Sequence, residues 1–390
     1  MTTDSSVCRG ISAGIVTTGR ADYGLLRPLI VELKKCPDFE PIVIISGAHL
    51  IGEENQHIAE VNTDTHNHIR RVNLRHSSID AHSVGSECGV ALIEADQLFR
   101  SINLDLLIVL GDRTELLGIV VAARFNAIPI CHLHGGEVSL GAVDDDVRHC
   151  ISKLSWLHFA SSDLHRDRLL QLGESEDRVF NYGAIGLDTA ASTNHLTDQQ
   201  LNKRLGNYTQ LPIVVVSLHP ETNNINDEGF RNVFEFLYTL DEYFLVFSEP
   251  NYDQGRDQII NLIQGFIEER DADYIFEQSF GIDLYQSCLK HCRFAIGNSS
   301  SFIIEGSYFG TPSINLGGRQ EGRQRGSNII DTTTEHNAIT NAFDRVLKLD
   351  KRVIANSPFW QGGASAKIVE KISELFPFTE YPRKRFVDRG

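Results

Sequence analysis

No run of apolar residues in this chain approaches the roughly 20 that cross a bilayer, so no membrane-spanning helix is expected. The first ten residues, Met1 to Gly10, are polar and hold no hydrophobic signal core, which points to a soluble, unexported, cytoplasmic protein. Basic residues are in deficit: 36 Lys and Arg stand against 52 Asp and Glu, a formal net charge of −16. A broad nucleic-acid face needs clustered Lys and Arg and is therefore excluded. An anionic small substrate is still compatible, if a few Arg side chains and helix N-termini build a local positive site. Disulfide pairing is poorly served. The cysteines number seven, an odd count, and none form a Cys-x-x-Cys pair. Cys288 and Cys292 lie one helical turn apart, which suits packing. Reduced thiols in a reducing compartment are expected. There is no fixed-period repeat, no low-complexity tract, no Walker A or Gly-x-Gly-x-x-Gly loop, and no His-Glu-x-x-His metal motif.

What is present is 390 residues, 41% hydrophobic and 23% charged, enough for two cores. Short apolar runs alternate with amphipathic segments. Ile11–Thr17, Pro41–Ser46, Leu104–Leu110, Ile128–Leu133, Trp156–Ala160 and Val179–Asn181 read as strands, with a helix from about Tyr23 to Lys35. The alternation restarts after residue 200, with strands at Leu211–Leu218, Tyr243–Phe247, Arg293–Ile296 and Ser313–Leu316. Continuous apolar strands separated by helices indicate parallel sheets covered on both faces. The expected class is α/β, with two Rossmann-type doubly wound parallel-sheet domains. The first spans 1–190 and the second 191–363, and the polar stretch Ala190–Asn207 serves as connector. Residues 364–390 form a final helix and tail: Ala364–Leu375 is amphipathic, and the basic end, Pro382–Arg389, reads as a solvated terminus.

Polar and Gly-rich clusters recur at the carboxyl ends of these strands, the edge where open α/β sheets bind ligands. Thr17-Thr18-Gly19-Arg20 joins a strand to a helix. It is either an ordinary turn or a phosphate site built from backbone N–H groups and Arg20. In Gly111-Asp112-Arg113, Asp112 is either an N-cap for the helix near Thr114 or a catalytic carboxylate. His132-Leu133-His134-Gly135-Gly136-Glu137 carries a carboxylate beyond two glycines that would let a ligand approach the backbone. Asp144, Asp145 and Asp146 then open a helix, where acids suit the N-terminal dipole. Asp144–Arg148 and Asp145–His149 make i,i+4 pairs, and a metal site among these residues is the competing reading. His219-Pro220 ends a strand, where a histidine can hydrogen-bond a phosphate or move a proton. Gly297-Asn298-Ser299-Ser300-Ser301 leads from a strand into a helix that closes at Gly310. Its hydroxyls and N–H groups suit a diphosphate, and Glu305, one turn further in, can reach two ribose hydroxyls. Gly317-Gly318-Arg319, continuing to Arg323 and Arg325, suits an anionic leaving group.

Taken in this order, from about Ile15 to Ile330, these segments resemble the hydrolysing UDP-N-acetylglucosamine 2-epimerases of sialic-acid biosynthesis. The strongest parts are Thr18–Leu26, Gly111–Arg113, Gly135–Lys153, Gly297–Glu305 and Asn315–Arg323. The resemblance implies a GT-B-like fold with the two domains facing across a cleft, and UDP held mostly by the second. It implies that Asp112, Glu137 and Asp144, with His132 and Arg319, form the catalytic set around the sugar. Arg20, Arg113, His219, Asn251, Ser299, Ser300, Ser301, Glu305 and Arg323 would bind the substrate and its UDP. The register of Asp144 against Asp145 stays open. No cofactor and no metal are implied. The partner is a small-molecule nucleotide sugar, and a homo-oligomer, dimer or tetramer, is expected. Three positions depart from the family pattern: Ile304 before the ribose Glu, Arg256 after the Pro250-Asn251 loop, and Glu221 after His219-Pro220.

The expected reaction converts UDP-N-acetylglucosamine and water to N-acetylmannosamine and UDP. Loss of UDP from C1 builds oxocarbenium character, which acidifies the C2 proton; the resulting glycal then takes up water. Such a step needs cations on the diphosphate and carboxylates beside the ring. Crowded carboxylates separate in pKa, so one can be base while another is acid. Relatives acting on UDP- or GDP-N,N′-diacetylbacillosamine, in legionaminic acid synthesis, share these motifs and form the alternative. A GT-B glycosyltransferase and a non-catalytic sugar-nucleotide sensor are more distant readings.

Overall fold

The computed structural model describes residues 10–50, 61–62, 68–74, 84–140, 143–206, 211–220, 227–250, 255–269, 273–277, 280–350 and 356–388. The chain divides into two compact units. One comprises Met1–Glu137, Val143–Thr189 and Gln361–Gly390; the other comprises Val138–Ala142 and Ala190–Trp360.

The first unit is built on β1 (Ile11–Thr17), β2 (Phe39–Ile45), β3 (Ile69–Arg71), β4 (Leu106–Leu110), β5 (Ile130–Leu133), β6 (Leu157–Ala160) and β7 (Val179–Asn181). The strands are parallel, in the order β3-β2-β1-β4-β5-β6-β7. Between them run α1 (Arg20–Lys35), α2 (Val84–Ser101), α3 (Thr114–Phe125), α4 (Val143–Leu154), α5 (Asp163–Gln171) and α6 (Gly186–Ser192). β1, β4, β5 and β6 are buried at every residue, which is why they read as unbroken apolar runs. Successive side chains serve opposite faces. Leu106, Ile108 and Leu110 join a core with Leu26, Leu29 and Leu33 of α1. Leu107 and Val109 join another with Ala95 and Phe99 of α2 and Ile119 and Ala123 of α3.

The second unit repeats the plan with β8 (Ile213–Ser217), β9 (Phe244–Ser248), β10 (Tyr274–Glu277), β11 (Phe294–Gly297), β12 (Ser313–Leu316) and β13 (Ile329–Thr332). These too are parallel, in the order β10-β9-β8-β11-β12-β13. Its helices are α7 (Asp198–Arg204), α8 (Asp227–Tyr238), α9 (Arg256–Glu269), α10 (Gly281–His291), α11 (Ser300–Ile303), α12 (Glu305–Phe309) and α13 (His336–Val346). Val214 and Val216 face α8, α9 and α13, while Ile213 and Val215 face α7 and α10. The stretch expected to be a plain connector carries α7, started by a reciprocal capping box between Thr197 and Gln200.

The chain returns to the first unit as α14 (Ala364–Leu375), whose Ile368 and Ile372 pack into the α1 core. Both oxygens of Asp188 accept the first amides of α14, from Ala364 at 2.9 Å and Ser365 at 2.6 Å. Most of the described basic end is exposed, as its composition suggested, but Lys384 is half-buried and tied down. Lys384 pairs with the buried Glu174, the Phe386 ring, itself largely exposed, lies against Gly173, and the Val387 amide donates to the Gly173 carbonyl at 3.0 Å. Among the described residues, no helix is long and apolar enough to cross a membrane.

In each sheet the strand order reverses once, between β1 and β4 and between β8 and β11. Ligands of doubly wound sheets bind outside the carboxyl ends of the strands at that reversal. In the first unit those ends carry Thr18-Gly19-Arg20 and Gly111-Asp112-Arg113. In the second they carry His219-Pro220 and Asn298-Ser299-Ser300.

Candidate functional site

The first unit gathers its chemistry around one buried guanidinium. Arg148, on α4, has a side chain only 2% exposed. It contacts the Asp112 carboxylate, donates to Asp145 Oδ1 at 2.8 Å and donates to the Glu137 carbonyl at 3.0 Å. Asp112 is therefore not an N-cap. The cap position of α3 is Arg113, and the Asp112 carboxylate turns to Arg148 instead. Arg148 takes an i,i+3 pair from Asp145, which also lies 3.6 Å from His149 Nε2 as the expected i,i+4 pair. Asp145 is thus engaged in holding Arg148. Asp144 lies in the first turn of α4 and is half-buried.

Glu137 is buried beside β6. Ser161 Oγ donates to its Oε1 at 2.7 Å, His134 Nδ1 lies 3.0 Å from the same oxygen, and Ser161 also meets His165 Nδ1 at 2.8 Å. The glycines before Glu137 serve packing between protein segments. A Cβ on Gly136 would fall 2.2 Å from the His165 carbonyl oxygen, and one on Gly135 2.9 Å from Ser152 Oγ.

His132, expected among the catalytic groups, is fully buried with both ring nitrogens engaged: Nε2 at 2.8 Å from the Gly111 carbonyl and Nδ1 at 3.0 Å from Ser152 Oγ. A carbonyl only accepts, so Nε2 carries the proton. Burial lowers the ring's pKa to about 3, leaving it neutral. His132 orients the Gly111-Asp112 turn and is not placed to exchange protons with a substrate. At the end of β1, the amide and hydroxyl of Thr18 both donate to Asp22 Oδ2, at 2.7 and 3.0 Å. That carboxylate takes donors the phosphate reading needed, although Arg20 itself is exposed at the start of α1. Arg113 is exposed and reaches Glu115 Oε1 at 3.5 Å.

In the second unit the chain crosses the reversal at Gly297. Its φ of +146° belongs to glycine, and an added Cβ would lie 1.9 Å from the Ser217 carbonyl oxygen. Asn298 then extends the β8–β11 pairing with its side chain. Its Oδ1 accepts from the His219 amide at 2.7 Å, and its Nδ2 donates to the His219 carbonyl at 2.8 Å. His219 Nε2 lies 3.3 Å from Ser217 Oγ, and burial, with Arg319 nearby, lowers its pKa to about 3. It can offer a phosphate a neutral hydrogen bond but no charge. Arg319 Nη1 and Gln320 Nε2 both donate to the Asn298 carbonyl, at 3.2 and 2.8 Å. Arg323 is half-buried on the same loop.

The expected single helix from Ser300 to Gly310 is broken. α11 ends after one turn, and α12 begins at Glu305. Ser299 caps α11 through Ser301, and Tyr285 Oη meets Ser301 Oγ at 2.6 Å. With one turn there is little helix dipole, so the donors here are individual N–H and O–H groups. Glu305 sits at the junction. It is partly exposed as a residue, yet the protein packed around its carboxyl pushes its pKa up to about 7. Of the three departures from the expected pattern, Ile304 forms the break, with ψ −69°, and Arg256 pairs with Glu249. Glu221 and the expected nucleotide ligand Asn251 lie outside the described residues. Among the described residues no three His, Cys, Asp or Glu side chains gather as a metal site.

Sequence reading missed Arg148, Ser161, His165 and Gln320. The signal for Arg148 was local: with Val147, Ile151 and Ser152 it occupies the buried face of α4, where an unpaired charge is not tolerated. Ser161 and His165 sit in segments without a motif, Gln320 lies within the Gly317–Arg325 loop with no role assigned, and only the fold brings them to their partners.

The UDP-N-acetylglucosamine 2-epimerase family profile matches residues 31–373. A Campylobacter jejuni protein named GDP/UDP-N,N′-diacetylbacillosamine 2-epimerase (hydrolyzing) is 34% identical over 334 residues, 85% of this chain and 86% of that protein. A Legionella pneumophila protein named UDP-N,N′-diacetylbacillosamine 2-epimerase (hydrolyzing) is 33% identical over 348 residues, 87% of this chain and 90% of that protein. In fold, the chain is similar to UDP-GlcNAc 2-epimerase from Neisseria meningitidis solved with UDP-GlcNAc, with a TM-score of 0.77 at 16% identity, covering 93% of this chain and all of that one. By the profile, the relatives and the paired parallel sheets together, the chain belongs to the UDP-N-acetylglucosamine 2-epimerase family.

Proposed function

We propose that the protein is a hydrolysing 2-epimerase, which releases a free, C2-inverted 2-acetamido sugar and a nucleoside diphosphate from a nucleotide sugar and water. The observation that carries this reading is Asp112, a carboxylate at the strand reversal of the first unit, fixed by the buried Arg148 next to Glu137. The bond from C1 to the diphosphate oxygen breaks and the C2 proton passes to a carboxylate, leaving a C1–C2 double bond. Water then adds its hydroxyl to C1, and C2 takes a proton on the opposite face. Asp112, Glu137 and Asp144 are the acid and base candidates. Asp112, held by the Arg148 guanidinium, is the candidate base. Arg319, with the neutral His219 and the Ser299–Ser301 donors, would receive the departing diphosphate, and Glu305 would accept from the ribose hydroxyls.

Two substrates compete. The family description names UDP-N-acetylglucosamine. The two hydrolysing relatives, at 34% and 33% identity, are named for N,N′-diacetylbacillosamine nucleotides and favour that substrate. Purified protein without any acceptor is to be given UDP-N-acetylglucosamine, UDP-N,N′-diacetylbacillosamine or the GDP-linked form. The expected result is free epimerised sugar plus nucleoside diphosphate, with the highest kcat/KM on a diacetylbacillosamine nucleotide. A higher value on UDP-N-acetylglucosamine reverses the choice of sugar. Turnover only with an added acceptor makes the protein a glycosyltransferase, and tight binding without turnover makes it a sensor.

A further inference from the structure

We propose that the C-terminal tail is a positioning element for the reaction, with Lys384 clamping the far end of the helix whose near end sets the catalytic carboxylates. The proposal rests on the assignment of Asp112 and Glu137 to catalysis. Lys384 Nζ donates to the carbonyls of Lys153 at 2.7 Å and Ser155 at 2.6 Å, with Ser152 O at 3.3 Å, and pairs with Glu174 Oε2 at 2.7 Å. Two of those carbonyls belong to the last turn of α4 and the third follows it, where a helix leaves acceptors unsatisfied and favours a cation. The same helix carries Arg148 and Ser152, one turn apart on one face. Arg148 holds Asp112 and the Glu137 carbonyl, and Ser152 holds His132, which holds the Gly111 carbonyl.

The tail is fitted to this duty. Phe386 lies over Gly173, where a Cβ would come within 2.7 Å of the ring, and the Lys153 ammonium stands 4.6 Å from the Phe386 centroid. Glu174 is 2% exposed and is shared by Lys384, Lys153 and His158, so the clamp closes on a buried carboxylate. Burial lowers the Lys384 pKa to about 8, against the opposing effect of Glu174; Lys153 and Arg178 are the other charges that face it, with neutral His158 behind Glu174. The ammonium is therefore lost at moderately alkaline pH.

The test is Lys384→Met, which keeps the aliphatic stem, beside Lys384→Arg, which keeps the charge. Lys384→Met is expected to lower kcat tenfold or more per folded molecule, with KM and UDP affinity within twofold, and Lys384→Arg to recover most of it. In the parent protein kcat falls as pH rises through about 8; in Lys384→Arg that limb moves up. Combining Lys384→Met with Arg148→Lys should cost less than the product of the single losses, because both act on Asp112. Amide exchange should quicken in α4 and stay unchanged in the second unit. If Lys384→Met aggregates, Phe386→Ala loosens the same tail and should shift kcat in the same direction by less. An unchanged kcat in folded Lys384→Met, or fully multiplicative losses, overturns the proposal. Should Asp112→Asn keep normal turnover, the catalytic assignment fails instead. Exchange in α4 then decides the clamp alone, unchanged rates overturning it and faster rates supporting it.

Discussion

Arg148 holds two carboxylates and a carbonyl from within the protein, so removing it leaves the negative charge of Asp112 and Asp145, 25% and 20% exposed, without its cation. Breaking a buried pair costs about 3–5 kcal/mol. Because both carboxylates keep some solvent contact, Arg148→Met should lower unfolding free energy by less than that in denaturant titration, and a neutral effect would mean that these pairs carry no net stability. Asp112→Asn and Glu137→Gln keep shape and remove the base. Each should cut turnover by roughly 10²–10⁴-fold, the usual worth of general acid–base help. UDP affinity, measured by calorimetry, should hardly move. Asp144→Asn belongs with these, whereas Asp145→Asn should chiefly lower stability, since Asp145 serves Arg148. Glu305 predicts a pH effect. Its folded pKa, about 7, lies above the ordinary 4.5, so its stabilising contribution is full below about 4.5 and is lost as pH rises through 7. The ionised form is the better acceptor for ribose hydroxyls. UDP affinity should therefore strengthen by about tenfold between pH 6 and 8, and the slope should shrink in Glu305→Gln. Identical pH profiles for the two proteins would remove Glu305 from the nucleotide site.

Among the elements, the candidate residues of each unit depend on how two parallel strands end at its reversal. Gly297 is the tightest point: Gly297→Ala imposes both a φ of +146° and a backbone clash with Ser217. Strained backbone alone costs about 1–3 kcal/mol. Loss of UDP binding with the first unit still folded is expected, and calorimetry with near-wild-type affinity would show that β11 yields at little cost. The central strands were legible in the sequence because both faces are buried, and Ile11–Thr17 and Ser313–Leu316 match to the residue, as does Val179–Asn181 although it is a half-buried edge strand. β3, β10 and β13 were not legible. β3 lies at one edge and is partly exposed, ending in Arg70 and Arg71. β10 and β13 are likewise edge strands of the second sheet, without continuous burial. The strand-end motifs located the candidate residues but not their orientation. Asp112 read equally as a cap, His132 as one of the catalytic set around the sugar and Arg148 as the i,i+4 partner of Asp144, because side-chain direction depends on β5, α4 and β6 meeting in space.

The molecule as a whole ties its C-terminus into the first unit, and that closure is titratable. Burial alone would raise the pKa of Glu174; His158 and Lys384 outweigh it and bring it down to about 2. A depressed carboxylate stabilises the fold above its ordinary 4.5, and that contribution is lost as pH falls toward 2. Glu174→Gln should flatten the acid limb of stability in this window, as followed by circular dichroism. An unchanged limb would mean that other carboxylates govern acid unfolding. The composition of Pro382–Arg389 gave no hint of this role, since Arg383 and Arg385 are exposed as a basic run suggests and only Lys384 turns to the carbonyls of α4 and the Glu174 carboxylate. The central claim, elimination followed by addition of water, is tested most directly by turnover of the nucleotide sugar in D₂O with NMR of the released sugar. Elimination and re-addition give a C2-inverted product that carries deuterium at C2. A product that keeps its original C2 hydrogen and configuration would show direct hydrolysis and contradict it.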